Sequence, residues 1–301
     1  MEYRKLIEEI CNEEMIDYKL ISEDWVMVLT KNNITKCISG YRFPLNDHAL
    51  GSVIDDKYAF YDLCKLKKIP IIEHNILFNP NSKLGNNTND LLKKYFVEYQ
   101  ENVVVKPNLG TEGTNVYHIT NYSDLLKITN ELFKNNFSIS ICPFYKIDNE
   151  YRVVVLNDKI KLIFEKSKPV VIGDGKSSIK ELLINLNPYY FTKINFSNEY
   201  NKILKNGEQY EYDWRFNLNK GATAELVENN DLYQKLSDIA LNATKTINAK
   251  FVSVDIIKCQ NKFYLIEMNS GVCINKVCNF IDKDLKMVKE IYREAILEMF
   301  K

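Results

Sequence analysis

Alternation of apolar and polar residues is clearest in the stretch from Phe251 to Gly271. Two runs rich in β-branched and aromatic residues, Phe251 to Ile257 and Lys262 to Met268, flank a polar segment from Lys258 to Asn261. Runs of this kind around a short polar turn are typical of β-hairpins. The stretch therefore predicts two antiparallel strands, whose backbones lie about 5 Å apart.

Three oxygen-bearing side chains interrupt the apolar pattern of this hairpin. Strand alternation places Glu267 and Asn269 on one face, and Asp255 on the other strand can join them. Such hard oxygen ligands suit Mg2+, or Mn2+, whose shell is completed by water and substrate phosphates. The competing interpretation is that the carboxylates occupy edge or exposed positions. Because Asp and Glu are depleted in strands and buried charges need partners, we predict a metal site instead.

The segment from Asn102 to Tyr117 is the second stretch whose residues are suited to ligand binding. A valine-rich strand ends at Lys106, a loop with Gly110 and Gly113 follows, and a further strand resumes at 115–117. Glycines let backbone N–H groups approach a phosphate, and a lysine adds a positive charge. A plain hairpin remains the competing interpretation, because the glycine spacing is not that of a Walker loop.

Helical and strand patterns alternate along the rest of the chain, which predicts a mixed fold of the α+β or α/β class. The spacing predicts helices over 3–16, 55–68, 123–133 and 179–186, with Ser123 as the N-cap of the third. Strands are predicted over 25–29, 34–38, 137–145, 150–156, 160–165 and 210–219.

Composition and charge exclude several classes of function. Forty basic residues balance forty acidic ones, so a net charge of +0 gives no electrostatic basis for binding nucleic acid or an anionic membrane. No apolar run approaches the roughly 20 residues that span a bilayer, and no signal peptide is visible. Seven scattered cysteines without a C-x-x-C pair argue against zinc or redox chemistry. We expect a cytoplasmic protein.

A family resemblance becomes specific after position 209. Asp213-Trp214-Arg215, Asn217, Lys220-Gly221 and Ala224-Glu225 resemble the W-R-x-N-x-x-R-G-G-x-A-E segment of ATP-grasp carboxylate-amine ligases that act on a ribosomal protein or on a lysine-biosynthesis carrier protein. The stretch from Val171 to Leu182 resembles V-G-D-G-x-x-T-I-x-E-L of cyanophycin synthetases and bifunctional glutathione synthetases. V-V-V-K-P, E-Y-R-V and the D-(x11)-E-x-N hairpin follow the same order as in that family.

The resemblance implies an ATP-grasp fold, in which two α+β lobes sandwich ATP. A reduced N-terminal α/β region would occupy 1–52, a small lobe with the phosphate loop 53–141, and a large lobe with the metal site 142–301. The implied reaction transfers the γ-phosphoryl group of ATP to a carboxylate, and an amine then attacks the acyl phosphate, with release of ADP and phosphate. Both substrates would be small molecules or peptides, with no nucleic acid or membrane partner, and a homo-oligomer remains open.

The resemblance also implies roles for individual residues. Lys106 would contact the nucleotide phosphates and Glu150 the ribose, while Arg152, Arg215 and Asn217 would lie near the transferred phosphoryl group. The loop residues Gly110, Thr111, Gly113 and Thr114 would close over the phosphates, and Asp255, Glu267 and Asn269 would bind the metal. Arg152, Arg215 and Glu150 can equally be read as surface charges.

Three positions depart from the family pattern. Cys142 begins the segment where a hinge carboxylate is usual, Tyr61 stands in place of a second lysine, and Ala222 replaces a glycine. These departures keep two alternatives open: a phosphotransferase that releases a stable phosphorylated product, and an ATP-binding module without catalytic activity.

Overall fold

Nine helices lie in the part of the chain that our computed structural model describes, residues 3–110, 113–186, 198–283 and 285–301. They are α1 (Tyr3–Glu13), α2 (His48–Asp55), α3 (Lys57–Leu66), α4 (Thr88–Glu98), α5 (Tyr122–Phe133), α6 (Ile179–Leu186), α7 (Asn230–Ile247), α8 (Cys278–Ile281) and α9 (Lys286–Glu298). Among the described residues no helix is long and apolar enough to cross a membrane.

Fourteen strands accompany these helices in the same ranges. They are β1 (Asp17–Ile21), β2 (Val26–Lys31), β3 (Ile34–Ser39), β4 (Asn75–Phe78), β5 (Val103–Pro107), β6 (Tyr117–Ile119), β7 (Ser138–Pro143), β8 (Asn149–Leu156), β9 (Lys159–Ser167), β10 (Val170–Ile172), β11 (Gln209–Glu211), β12 (Thr223–Leu226), β13 (Phe251–Cys259) and β14 (Lys262–Asn269). The chain divides into two compact units, Met1–Glu165 with Glu225–Lys301, and Lys166–Ala224.

The main core of the first unit lies on one face of a five-stranded sheet with the order β12-β9-β8-β13-β14. β13 is antiparallel to both of its neighbours and buried along nearly its whole length. Val252, Val254 and Ile256 of β13 share this core with Leu236 and Ala240 of α7. A buried central strand explains why the apolar run of β13 is nearly continuous.

A second, four-stranded sheet has the order β4-β7-β5-β6. One of its faces packs against α4 and α5 through an apolar cluster that includes Val103, Val105 and Ile141. Strand alternation directs the side chains of Lys106 and Ser140 to the opposite face, where the register pairs these two residues. The sheet thus has one structural face and one face available for chemistry.

The N-terminal region forms a three-stranded antiparallel sheet, β1-β2-β3, together with α1. Leu6 and Ile10 are buried on one side of α1. Ion pairs join α1 to α9: Lys289 Nζ lies 2.7 Å from Glu13 Oε1, and Arg293 Nη1 lies 2.7 Å from Glu14 Oε1. The C-terminal helix therefore ties the N-terminal region to the rest of the first unit.

The second unit contains the two-stranded sheet β10-β11 and α6 around a small core that includes Val171, Ile179 and Leu204. A capping box begins α6, because Glu181 accepts from the backbone N–H of Ser178 at 2.7 Å while Glu181 N–H donates to Ser178 Oγ at 3.3 Å. The predicted helix over 179–186 is confirmed.

Several sequence-based expectations for individual elements need correction. Position 55 ends α2 and the next helix begins at Lys57, so the stretch predicted as one helix contains parts of two. The N-cap of α5 is Asn121, whose side chain accepts from Asp124 N–H at 2.8 Å, rather than Ser123. The strand predicted over 210–219 is limited to β11, and the residues that follow are irregular. Strands β1, β10 and β12 and helices α2, α4, α7, α8 and α9 were not predicted.

Candidate active site

A polar face on the five-stranded sheet carries five of the sequence-predicted residues. The register pairs Asp255 with Glu267 on β14 and with Arg152 on β8. Asn269 lies opposite Ser253, and Glu150 lies opposite Ile257, two positions from Asp255 on β13. Because residues paired across strands share a face, the sheet brings these side chains together opposite the main core. We call this surface the polar face; its members are Glu150, Arg152, Ser253, Asp255, Glu267 and Asn269.

Asp255 is committed to an ion pair with Arg152. Arg152 Nε donates to Asp255 Oδ1 at 2.7 Å, and Arg152 Nη2 donates to Oδ2 at 2.6 Å. The Asp255 side chain is 3% exposed and the Arg152 side chain 21%. Burial alone would lower the pKa of Arg152, but the charge and hydrogen bonds of Asp255 outweigh it and raise that pKa. The pair satisfies a buried carboxylate and fixes a guanidinium group on the polar face.

Glu267 and Asn269 are much less committed. Among the described residues, their side chains make one hydrogen bond, from Asn269 Nδ2 to Glu267 Oε1 at 3.4 Å, a long contact. It leaves Glu267 Oε2 and Asn269 Oδ1 without a partner among the described residues. No group of three or more His, Cys, Asp and Glu side chains in those residues can hold a metal ion. These oxygens nonetheless fit Mg2+, which binds through one or two carboxylates together with water and phosphate oxygens.

Two buried lysines lie beside the polar face. Lys106 at the end of β5 and Lys57 at the start of α3 are each 8% exposed. Burial lowers the pKa of Lys57, the nearby carboxylate of Glu267 opposes that shift, and the ammonium group of Lys106 adds to it. Lys106 has no hydrogen bond or ion pair with any described residue. Two neighbouring buried cations, one without a partner, form a site that favours an anion.

Lys57 holds the start of the glycine loop. Its Nζ donates to the carbonyl oxygen of Gly110 at 2.6 Å and to that of Asn108 at 3.3 Å. Gly113, also in this loop, has a φ of 63°, in the left-handed region that favours glycine. Thr114 is exposed, whereas the predicted phosphate contact Thr111 lies outside the described residues. Lys57 was not among the residues predicted from the sequence to belong to the site.

Buried polar atoms without hydrogen-bond partners concentrate around this site. Among the described residues there are four, and three of them are Asn108 Nδ2 in the loop, Ser253 Oγ on the polar face and His74 Nε2. Such atoms are rare in native proteins, and each calls for a physical explanation. Their position next to the lysines and carboxylates is consistent with a site whose ligand completes the hydrogen bonding.

Arg215 and Asn217 lie in the second unit, in the irregular segment after β11. Arg215 makes a bidentate ion pair with Asp213: Nε donates to Oδ1 at 2.8 Å and Nη2 donates to Oδ2 at 2.6 Å. Asn217 Oδ1 accepts from Asn219 N–H at 2.8 Å and caps a short 3-10 turn. These local bonds replace strand pairing and explain why the strand expected here does not form.

Gly221 ends this turn in a conformation that other residues rarely adopt. Its φ is +91°, and a Cβ atom there would lie 2.0 Å from Tyr212 Oη, which donates to the Lys220 carbonyl oxygen at 3.0 Å. We expect Gly221→Ala to lower the free energy of unfolding by about 1–3 kcal/mol through backbone strain and displacement of Tyr212. Urea denaturation would measure this loss.

Gly207 provides the matched control for this prediction. Its φ is +80°, but a Cβ atom there would meet nothing within 4 Å. Gly207→Ala should therefore show backbone strain without a steric clash. Equal losses for the two variants would contradict the proposed contact with Tyr212.

Comparison with known proteins places this site in context. A family model described as the RimK-like ATP-grasp domain matches residues 200–291. The glutathione biosynthesis bifunctional protein GshAB of Clostridium perfringens is 23% identical over 234 residues, which cover 69% of this chain and 29% of that protein. GshAB of Listeria monocytogenes serotype 4b is 24% identical over 246 residues, covering 70% and 31%. The chain thus spans less than a third of the length of these relatives.

Solved structures show the same architecture. A bifunctional glutathione synthetase from Pasteurella multocida has a TM-score of 0.57 at 15% identity, covering 98% of this chain and 44% of that one. A D-alanine–D-alanine ligase from Bacillus anthracis has a TM-score of 0.50 at 15% identity, covering 80% and 69%.

Proposed function

Because the chain has an ATP-grasp fold and is similar to ATP-grasp ligases, we propose that it uses ATP to join a carboxylate to an amine. The carboxylate accepts the γ-phosphoryl group of ATP to give an acyl phosphate. The amine then displaces phosphate through a tetrahedral intermediate, so the products are an amide, ADP and phosphate. The acid and the amine are small molecules or peptides.

One observation carries this proposal: Lys106 is buried without an anionic partner, next to the buried Lys57 and the polar face. A buried ammonium group is costly to keep without a counter-charge. A nucleotide phosphate supplies that charge, and the glycine loop that Lys57 holds supplies backbone N–H groups. The uncommitted oxygens of Glu267 and Asn269 accept the accompanying cation.

The chain's own groups divide the work of phosphoryl transfer, which depends on positioning and charge stabilisation. Lys106 and Arg152 neutralise charge on the phosphates, and Glu150 accepts a hydrogen bond from the ribose. Arg215 and Asn217 act on the transferred phosphoryl group. Glu267, Asn269 and Asp255 would hold Mg2+, which would supply positive charge to the phosphate groups. Asp255 must loosen its ion pair with Arg152 to serve as a ligand.

The test is a screen for ADP release with all amino acids, singly and in pairs, followed by the mass of the product. Hydroxylamine then replaces the amine, since a small strong nucleophile intercepts an acyl phosphate as a hydroxamate. A hydroxamate supports the ligase. A stable phosphorylated product instead would establish the phosphotransferase alternative, and the absence of ATP turnover with every candidate would favour a binding module.

Lys106→Met provides a prediction that needs no substrate. Methionine fills similar space without the charge, so we expect MgATP affinity to fall by about tenfold or more, the cost of one charge-assisted contact. We also expect the nucleotide-free protein to become more stable, because repulsion with Lys57 and the desolvation of an unpaired charge are both removed. Calorimetric titration and thermal melting measure the two effects.

The exposed lysine Lys134 offers a control, since its partner is the nearby Glu131 at the end of α5. Lys134→Met should change neither property appreciably. A Lys106→Met variant that binds MgATP as tightly as the wild type would contradict the proposal that Lys106 binds the nucleotide phosphates.

A further inference from the structure

His74 lies beside the candidate site with one ring nitrogen engaged. Its Nδ1 is 3.0 Å from Ser140 Oγ, and Ser140 is the cross-strand partner of Lys106. The side chain is fully buried, and its ring meets that of Tyr61 edge to face at 6.3 Å. Burial holds the pKa of His74 well below its ordinary value, and Lys106 lowers it further, so the ring is neutral.

The other ring nitrogen is poorly satisfied. Nε2 is buried and makes no hydrogen bond of good geometry, although the backbone of Ile266 is close enough to act as a weak hydrogen-bond partner and to oppose the lowering of the pKa of His74. Leaving a buried donor or acceptor unpaired is energetically costly. A neutral ring whose Nδ1 accepts from the Ser140 hydroxyl carries its proton on Nε2, and a backbone carbonyl is then the matching partner.

Ile266 occupies a special place on β14. The register pairs Ile256 with Leu265 and Asp255 with Glu267, so Ile266 is the extra residue of a β-bulge. It directly precedes Glu267. His74 therefore stands between the strand pair that carries Lys106 and the strand that carries the candidate metal ligands.

We propose that His74 is a positioning residue that couples the two halves of the site: the weak contact of Nε2–H with the Ile266 carbonyl oxygen becomes a full hydrogen bond when nucleotide and metal bind. Ser140 orients the ring through Nδ1. The bond fixes Glu267 relative to Lys106, so that phosphate and cation are held together. This inference rests on the proposed function, because it assumes a metal-bound nucleotide.

Two substitutions separate the two ring nitrogens. In His74→Gln the side-chain amide reaches the position of Nε2 and can donate to Ile266, whereas the amide of His74→Asn reaches only the position of Nδ1. We expect His74→Asn to bind MgADP about five- to tenfold more weakly, the value of one hydrogen bond, and His74→Gln to restore most of the affinity. In EDTA, where Glu267 has no cation to hold, the ADP affinities of the wild type and of both variants should differ by less than about twofold.

Calorimetric titration with and without Mg2+ gives both affinities, and thermal melting confirms that each variant is folded. If His74→Asn does not fold, Ser140→Ala releases the ring and must show the same Mg2+-dependent loss. Equal losses with and without Mg2+, or no rescue by glutamine, would overturn the coupling while leaving the proposed function intact. Failure of the wild type to bind MgADP would overturn both.

Discussion

Glu267→Gln is expected to lower Mg2+-dependent ADP formation by about 100-fold or more, a loss typical of removing one charge-stabilising group from a phosphoryl-transfer site. Glutamine keeps the shape of the side chain and its contact with Asn269. It lacks the negative charge that binds a hard cation. The measurement is steady-state ADP release with the acid and amine found by the substrate screen, at saturating Mg2+.

The half-buried Glu165 provides a matched control. It lies on β9 of the same sheet and accepts a hydrogen bond from Asn149 Nδ2 at 2.7 Å, but it is not one of the proposed metal ligands. Glu165→Gln should retain activity close to that of the wild type. Wild-type ADP formation by Glu267→Gln would remove the metal assignment.

Arg215→Ala should abolish most hydroxamate formation, by about 100-fold, while MgATP affinity changes by less than about threefold. If Arg215 acts on the transferred phosphoryl group, its charge matters most in the transition state and least for binding the nucleotide. Colorimetric assay of hydroxamate measures the first quantity and calorimetric titration the second. The pairing of Arg215 with Asp213 already fixes the guanidinium group, so alanine removes an ordered charge.

Arg293 is the control for this prediction, because its side chain is 22% exposed, as is that of Arg215, and it is bound by the carboxylates of Glu13 and Glu14. Arg293→Ala should lower stability and leave the hydroxamate yield per folded molecule unchanged. Parallel loss of MgATP affinity and hydroxamate in Arg215→Ala would assign the residue to nucleotide binding instead.

Most of the fold was predictable because strong local patterns agree with it. The expected ATP-grasp fold of mixed α+β class is confirmed. The hairpin of β13 and β14 also forms as expected, with Gln260 and Asn261 at φ 48° and 64° in its turn. Helix α4 was not predicted because it follows a segment rich in Asn and Gly. Its first residue, Thr88, donates a hydrogen bond from Oγ1 to the backbone carbonyl oxygen of Phe78, which lies outside the helix. A tertiary contact of this kind leaves no trace in the local spacing of apolar residues.

The candidate site was less predictable, because its geometry depends on pairing between distant strands. Sequence alternation placed Glu267 and Asn269 on one face, but pairing counted from the turn sets Asp255 opposite Ile266. The bulge at Ile266 shifts the register by one residue and brings Glu267 opposite Asp255. The bidentate contact of Asp255 with Arg152, 103 positions away, likewise has no local signal.

The segment around Arg215 shows a different limit of sequence reasoning. Its aromatic and apolar residues favour a strand, yet Asp213 and Asn217 bond to nearby backbone and side-chain groups. Such local bonds compete with a strand ladder. Gly221, with positive φ, then reverses the chain. The family resemblance identified these residues as important without indicating their conformation.

The bulge on β14 also bears on how the chain reaches its native pairing during folding. A hairpin that closed from its turn without the bulge would direct Glu267 toward Val254 and the apolar core beside α7. Burying an unpaired carboxylate there would cost several kcal/mol, more than a misaligned ladder recovers. The carboxylate thus destabilises the competing register. A neutral residue at position 267 would reduce the free-energy difference between the native register and the competing one. A side chain proposed to hold a cation would serve first to select the correct alignment of the strand that carries it.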